Sequence, residues 1–308
     1  MSGRALIVTG YDGSDQSRDA LDLTRLLAPL LDAEVLVLSV LTYAPAEATY
    51  AVYERMLRDE ETRLAAEART ALSDVSQVET VTIPGVSPPG ELHDLAEGRG
   101  ARLIVIGSTH RGPLGRVLPG TVADRLLAGA PCPIAVAPGG YREHDHSLES
   151  IAVAFDGSAE SKLALTAGTA LATAAGAKLA LIAVANPHEA LTVAPGAGGW
   201  AGMVTTAEGI EHERRRMQTA IDDALASIPD GVRGTGEVTV DIDPASVIVT
   251  ASQAADLLLI GSRGYGPFRR VLLGGVSSAV IRKSACPVIV TPRSTVADEQ
   301  EAGSDRYG

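Results

Sequence analysis

Short apolar runs alternate along the chain with longer amphipathic stretches, a pattern typical of parallel β-strands joined by crossover helices. Runs such as LIVIG and LLLIG are apolar throughout, as expected for strands covered on both faces. In the first half the pattern predicts a long helix at Tyr50–Ser73 and strands at Ala5–Gly10, Glu34–Leu41, Val78–Ile83, Leu103–Gly107 and Ile134–Ala137. In the second half it predicts a helix at Thr206–Ile228 and strands at Ile151–Phe155, Lys178–Ala185, Glu237–Ile242, Leu257–Gly261 and Val288–Thr291.

The chain contains an internal repeat. The loop sequence GSTHRGPLGRVLPGT at 107–121 returns as GSRGYGPFRRVLLGG at 261–275, and YDGSDQS, AEVLVLSV and APCPIAVAP have counterparts in the same order. Asp12 and Asp156 are 144 positions apart and Cys132 and Cys286 are 154 apart, so the second copy has ten additional residues. The Gly-, Pro- and Ala-rich segment Asn186–Trp200 is interpreted as the inserted loop.

These observations predict two tandem, doubly wound α/β domains. We assign the first domain to residues 1–140 and the second to residues 148–293. The polar stretch 141–147 is interpreted as the linker, and the acidic tail, 294–308, is expected to be disordered.

Composition limits the partners and the compartment. The chain is 45% hydrophobic but only 3% aromatic, so the core is expected to consist mainly of Ala, Val, Leu and Ile. A net charge of −12 disfavours binding to nucleic acid. No stretch approaches the length of an apolar membrane span, and two cysteines fit a reducing compartment. We therefore expect a soluble, cytoplasmic protein without nucleic-acid or membrane partners.

The glycine-rich loop after the fourth strand of each copy is the candidate ligand site. Ligands of doubly wound sheets bind beyond the carboxyl ends of the strands, and glycine lets an anion approach main-chain amides closely. Phosphate fits such a loop when a helix follows, and here we expect that helix to begin at Val276–Ser278 with Ser277 or Ser278 as its cap. The G-x-x-x-x-G-K-[ST] loop is absent because the sequence has no Gly-Lys dipeptide, and no G-x-G-x-x-G follows the first strand.

Three signals recur: Asp-Gly-Ser after the first strand, a glycine loop that is complete at Gly261, Gly264 and Gly274 and has His110 at the second position of the first copy, and Cys-Pro before the last strand. On these motifs the sequence resembles the universal stress protein family of the tandem type, over nearly all of residues 4–292. The resemblance implies an adenine nucleotide α-hydrolase-like fold with a five-stranded parallel sheet in the order 3-2-1-4-5 in each domain. It also implies that the last strands of the two domains pair internally, and it leaves room for a homodimer of chains.

The resemblance further implies ATP as the ligand, with or without Mg²⁺. In nucleotide-binding members the adenine lies against main chain near the end of strand 2, an aspartate follows strand 1, and the glycine loop holds the triphosphate. In the second copy these positions fall on Asp156, Val184, Gly261, Ser262, Arg263, Gly264, Gly274, Gly275, Val276 and Ser277. In the first copy they fall on Asp12, Val40, Gly107, His110, Gly120 and Thr121.

Neither copy matches the family pattern fully. Gly275 stands where the family usually has Ser or Thr, and one lost hydrogen bond is worth about 0.5–1.5 kcal/mol. His110 replaces the second glycine of the first loop, where a left-handed conformation costs a non-glycine residue roughly 1–2 kcal/mol. We therefore rank the second site above the first.

Several residues have a plainer interpretation. Asp12 and Asp156 could simply cap the helices that follow them, and Cys132 and Cys286 are interpreted as buried, inert thiols. No catalytic constellation and no metal site is predicted, and His144-x-His146 lacks a supporting ligand cluster. Three functions stay open: an ATP-binding stress-response or signalling module, a slow ATP hydrolase or nucleotidyl transferase, and a dimerisation scaffold that binds no nucleotide.

Overall fold

The computed structural model describes residues 4–42, 50–108, 121–127, 129–188, 191–193, 203–262 and 275–292. The first half contains β1 (Ala5–Gly10), α1 (Asp15–Leu30), β2 (Ala33–Leu41), α2 (Tyr50–Ala71), β3 (Val78–Pro84), α3 (Pro88–Arg99), β4 (Leu103–Gly107), α4 (Thr121–Leu127) and β5 (Ile134–Ala137). The second contains β6 (Ser150–Ala154), α5 (Ala159–Ala175), β7 (Lys178–Ala185), β8 (Leu191–Val193), β9 (Met203–Thr205), α6 (Ala207–Ala226), β10 (Gly234–Val240), α7 (Pro244–Ala251), β11 (Leu257–Gly261), α8 (Gly275–Lys283) and β12 (Val288–Thr291). None of the helices described is both long and apolar enough to cross a bilayer.

Ten strands form one sheet in the order β10-β7-β6-β11-β12-β5-β4-β1-β2-β3. Each half therefore has the parallel order 3-2-1-4-5, which confirms the α/β fold expected from the sequence. The halves meet where β12 runs antiparallel to β5, with Ile289 opposite Ala135. The internal pairing of last strands is thus present in the molecule.

Helices cover both faces of this sheet, and the two cores divide between them. One core contains Ile7 together with Leu64 of α2 and Ile221 of α6. The other contains Val8, the next residue of β1, together with Leu126 of α4. Successive side chains of a strand point to opposite faces, so a strand buried on both sides is expected to be mostly apolar. The uninterrupted apolar runs of the sequence are explained by this layering.

Two local predictions are wrong. The strand expected at Glu237–Ile242 lies at Gly234–Val240, because Gly236 packs so closely under α6 that a Cβ would overlap Ile221. The insertion Asn186–Trp200, expected to be a loop, contains β8, which pairs antiparallel with β9. The β-branched residues in Leu-Thr-Val favour this strand despite the surrounding glycines and prolines.

The linker begins with a 3-10 turn at Tyr141–Glu143 that is fixed to α1. Asp19, which is only 2% exposed, accepts hydrogen bonds from the backbone N–H of Gly140 at 2.9 Å and of Arg142 at 3.0 Å. Burial raises the pKa of this carboxyl, and the two N–H donors act in the opposite direction. A buried aspartate thus holds the start of the linker.

The rest of the linker is also anchored. The His146 ring stacks on buried Tyr141 with centroids 3.6 Å apart, and His146 Nε2 donates to the Tyr141 carbonyl. At the far end, Asp256 Oδ2 accepts from the backbone N–H of Glu149 at 2.9 Å and of Ser150 at 2.8 Å. The polar composition of 141–147 does not indicate these contacts, which fix the path of the segment between the two halves.

Candidate functional site

A cavity opens at the carboxyl ends of the strands in each half, beside the point where the strand order reverses. The N-terminal cavity has a volume of about 540 Å³, and the predicted residues that line it are Asp12, Val40 and Gly107. The C-terminal cavity has a volume of about 190 Å³, and the predicted residues that line it are Asp156, Val184, Gly261, Val276 and Ser277. The repeat thus brings equivalent residues to equivalent cavities.

Three further predicted site residues can be placed in the described part of the fold. Gly275 begins α8, and Thr121 begins α4. Ser262 is fully buried, and its N–H donates to the Thr291 carbonyl at 3.0 Å. The described ranges do not include His110, Gly120, Arg263, Gly264 or Gly274.

The Asp-Gly-Ser motif builds the turn between the first strand and the first helix of each half. Asp12 Oδ1 accepts from the Ser14 N–H at 3.0 Å, and the Ser14 side chain caps α1 by accepting from the Ser17 N–H. Asp156 makes the same 3.0 Å contact with Ser158. The helices are thus capped by Ser14 and Ser158 and not by the aspartates, which fix the turn just before each cap, and both carboxylates also lie at the cavity walls.

Gly107 and Gly261 have a packing role. A Cβ on Gly107 would overlap the carbonyl oxygen of Gln16, and a Cβ on Gly261 would lie 2.8 Å from the carbonyl carbon of Glu160. The absent side chains let the first turns of α1 and α5 rest against the ends of β4 and β11. Glycine is required here whether or not a ligand is bound.

The predicted cap of α8 is wrong. The helix begins at Gly275, so Ser277 lies inside the first turn, and its hydroxyl donates to the Gly261 carbonyl at 2.9 Å. Ser278 instead accepts a long contact from Arg282 at 3.5 Å. Ser277 therefore ties α8 to the end of β11 beside the cavity.

The repeat, the sheet order and the paired cavities can be compared with known proteins. A family model described as "Usp: Universal stress protein family" matches residues 5–138 and again residues 148–292. The chain belongs to the universal stress protein family.

Curated relatives include universal stress proteins that align with nearly the whole chain and others that align with one half of it. Universal stress protein Rv2005c of Mycobacterium tuberculosis is 29% identical over 301 residues, covering 94% of this chain and 97% of that protein. Universal stress protein MJ0531 of Methanocaldococcus jannaschii is 32% identical over 136 residues, covering 42% and 79%. The crystal structure of a universal stress protein from Archaeoglobus fulgidus aligns with a TM-score of 0.70 at 19% identity, covering 94% and 98%, and supports the fold.

Sequence reasoning on this universal stress protein missed several residues that line the cavities. Gln16 and Glu160 occupy the same position of the repeat, one in each cavity, and so do Leu92 and Ile248. Met217 of α6 contributes a further apolar wall to the C-terminal cavity. Aligning the two copies pairs Gln16 with Glu160, because both follow the matched Asp-Gly-Ser motifs, but no sequence signal places either residue at a cavity.

An ion-pair cluster holds α2 beside the N-terminal cavity. The Tyr11 hydroxyl donates to Glu67 Oε2 at 2.6 Å, and Glu67 also accepts from Arg18 at 3.0 Å and from Arg63 at 2.5 Å. Burial and the Glu67 carboxylate raise the pKa of Tyr11 to about 12. Hydrogen bonds from Tyr11 and Arg18 lower the pKa of Glu67 to about 2.

The second half differs at this point. Phe155, Lys162 and Ala220 occupy the positions of Tyr11, Arg18 and Glu67, and they line a groove between α5 and α6. The two halves of this universal stress protein therefore share their cavities but differ in how the helix after strand 2 is attached.

Proposed function

We propose that this universal stress protein binds ATP in its paired cavities and acts as a nucleotide-dependent stress-response or signalling module. The observation that carries the proposal is the repeated cavity at the strand-order reversal, with an aspartate and the end of strand 2 at the wall in both halves. Adenine is expected against the main chain at Val40 and Val184. The phosphates are expected beyond Gly107 and Gly261, towards the glycine loops.

The chemistry of the walls supports an adenine nucleotide. Ile182, Val184 and Ile248 offer an apolar surface for a purine ring, and the Asp156 carboxylate can accept from ribose hydroxyls. The helix α8 begins at Gly275, directly after the predicted glycine loop, so the N–H groups of its first turn would be available to the phosphates.

A connection between cavity and domain junction supports the signalling part of the proposal. Glu160 lines the C-terminal cavity, and its carbonyl oxygen accepts from the Thr291 hydroxyl at 3.2 Å. Thr291 ends β12, the strand that pairs with β5. A ligand that shifts the first turn of α5 would therefore act on the strand that joins the halves.

Equilibrium titration of the purified full chain with ATP, ADP, AMP, cyclic AMP and adenosine, with and without Mg²⁺, tests the proposal. Val184→Phe narrows the C-terminal cavity and is expected to weaken ATP binding there, whereas Val240→Phe, at a 40% exposed position of the neighbouring strand, is its matched control. No binding at millimolar ATP in the unaltered chain would leave the scaffold function. Phosphate release that tracks bound ATP in both variants would favour the hydrolase.

A further inference from the structure

The two cavities differ in charge at one equivalent wall position. Gln16 is the second residue of α1 and lines the N-terminal cavity, and Glu160 is the second residue of α5 and lines the C-terminal cavity. Asp12 lines the N-terminal cavity, and its counterpart Asp156 lines the C-terminal cavity. At these two positions of the repeat, the N-terminal wall therefore has one carboxylate and one amide, and the C-terminal wall has two carboxylates.

Gln16 has an unused acceptor. Its Oε1 is buried and finds no hydrogen-bond partner in the described part of the chain. Buried polar atoms are nearly always paired, and Gln16 lines the cavity, so a turn of its amide towards a ligand donor would satisfy this acceptor. The hydroxyl and amino groups of a nucleoside are such donors.

The position of Gln16 is fixed by the backbone around it. Its carbonyl oxygen lies where a Cβ of Gly107 would be, so the first turn of α1 is held against the end of β4. A side chain that starts from a fixed backbone position loses little freedom when it meets a ligand. Gln16 is therefore suited to recognition.

Charge at this position acts on phosphate. A carboxylate close to a polyphosphate repels it, and the repulsion grows with the number of phosphates, whereas an amide does not repel it. An uncharged nucleoside is insensitive to the difference. A carboxylate at residue 16 or 160 thus weakens the binding of ATP but not the binding of adenosine.

We propose that this position sets the preferred nucleotide charge in each half: the Gln16 cavity binds the triphosphate more tightly, and the Glu160 cavity binds ATP more weakly and prefers adenosine or its monophosphate. The proposal rests on adenine-nucleotide binding as proposed above. It reverses the ranking of the two sites that the glycine loops alone predict. Glu160 has an interaction partner of its own, so the decisive substitutions are those at Gln16.

Isoleucine methyl groups report on each cavity separately. Ile106 lines the N-terminal cavity, and Ile182, Ile248 and Ile260 line the C-terminal one. Methyl NMR titrations of the full chain with ATP and with adenosine therefore give an affinity for each site. In the unaltered protein, ATP is expected to shift Ile106 at lower concentration than Ile260, and adenosine is expected to shift both.

Three variants test the role of the position. Gln16→Glu keeps the acceptor and adds the charge, so ATP affinity at Ile106 should fall about tenfold while adenosine affinity changes less than about twofold. Gln16→Met removes the acceptor and should weaken both ligands alike. Glu160→Gln should raise ATP affinity at Ile260. If Gln16→Glu still binds adenosine, the variant is folded. Glu160→Gln tests the role of this position in the other half.

Two results would overturn the proposal: equal losses of ATP and adenosine affinity in Gln16→Glu, or tighter ATP binding at Ile260 than at Ile106 in the unaltered chain. Failure of the proposed function looks different. In that case no nucleotide shifts any of the four methyl groups, even at millimolar concentration.

Discussion

The Tyr11 hydroxyl donates a 2.6 Å hydrogen bond to Glu67, and this contact joins the residue that follows β1 to the C-terminal part of α2. In the second half Phe155 and Ala220 stand at these places, and neither side chain can form such a bond. Two copies of one fold have thus acquired different attachments for the same helix. Several expectations about stability and chemistry follow from these and neighbouring contacts.

Tyr11→Phe should lower the free energy of unfolding by about 1 kcal/mol, because the part-buried Glu67 carboxylate loses a donor. Urea denaturation measures the change. In a Glu67→Ala background the same substitution should have little effect, and a full loss there would mean that the hydroxyl acts through another contact.

Acid should weaken the N-terminal half through Glu67. Its pKa is lowered from 4.5 to about 2 in the folded protein, so the folded state favours the ionised form. The resulting stabilisation is present above pH 4.5 and is lost as the pH falls through about 2. Between pH 2 and pH 4.5, the free energy of unfolding should therefore vary less with pH in Glu67→Gln than in the unaltered protein. Equal slopes in both proteins would contradict this assignment.

Gly107→Ala should destabilise the fold strongly, by several kcal/mol, since the new methyl group would meet the backbone of α1 and not a movable side chain. Gly98→Ala is the matched control. It lies inside α3 with no atom within 4 Å of the added Cβ, so higher helix propensity should stabilise the protein by about 0.5–1 kcal/mol. Thermal unfolding of both variants checks the pair.

Cys132 and Cys286 should resist alkylation in the native protein at pH 8. Burial raises the pKa of each thiol to about 12, and their residues are 7% and 5% exposed. Mass-spectrometric labelling should find both unmodified until denaturant opens the structure. Rapid native labelling of either thiol would contradict its buried position.

Asp19→Ala should free the start of the linker. The Gly140 and Arg142 amides lose their acceptor, so their hydrogen exchange should accelerate, with a stability loss of about 1–3 kcal/mol. Asp15→Ala serves as the control. Asp15 contacts the side chain of Arg142, so this substitution leaves the hydrogen bonds of the Gly140 and Arg142 N–H groups intact. Unchanged exchange in Asp19→Ala would show that other contacts hold the turn.

The sequence predicts strands well where both faces are buried. The bounds of β4, β5 and β11 agree with the apolar runs, because burial on both faces disfavours polar side chains. Prediction fails at β10, where Gly234 and Gly236 lack the side chains that mark a strand and their role depends on contact with α6.

Parts of the site are also beyond sequence reasoning. A polar residue at a helix start is typical of a solvated surface, so nothing marks Gln16 until the cavity is seen. Tyr141 lies in a polar stretch, yet Asp19, more than a hundred residues earlier, holds its turn against α1. Long-range contacts of this kind have no periodic signal.

The antiparallel pairing of β5 with β12 within one chain also affects how the two halves can diverge in sequence. Separate subunits that join through their last strands must stay compatible with every identical copy they meet. When the two partners are encoded in one polypeptide, each always meets the other in equal numbers. Either half can then lose a hydroxyl group or gain a carboxylate without the formation of mismatched dimers.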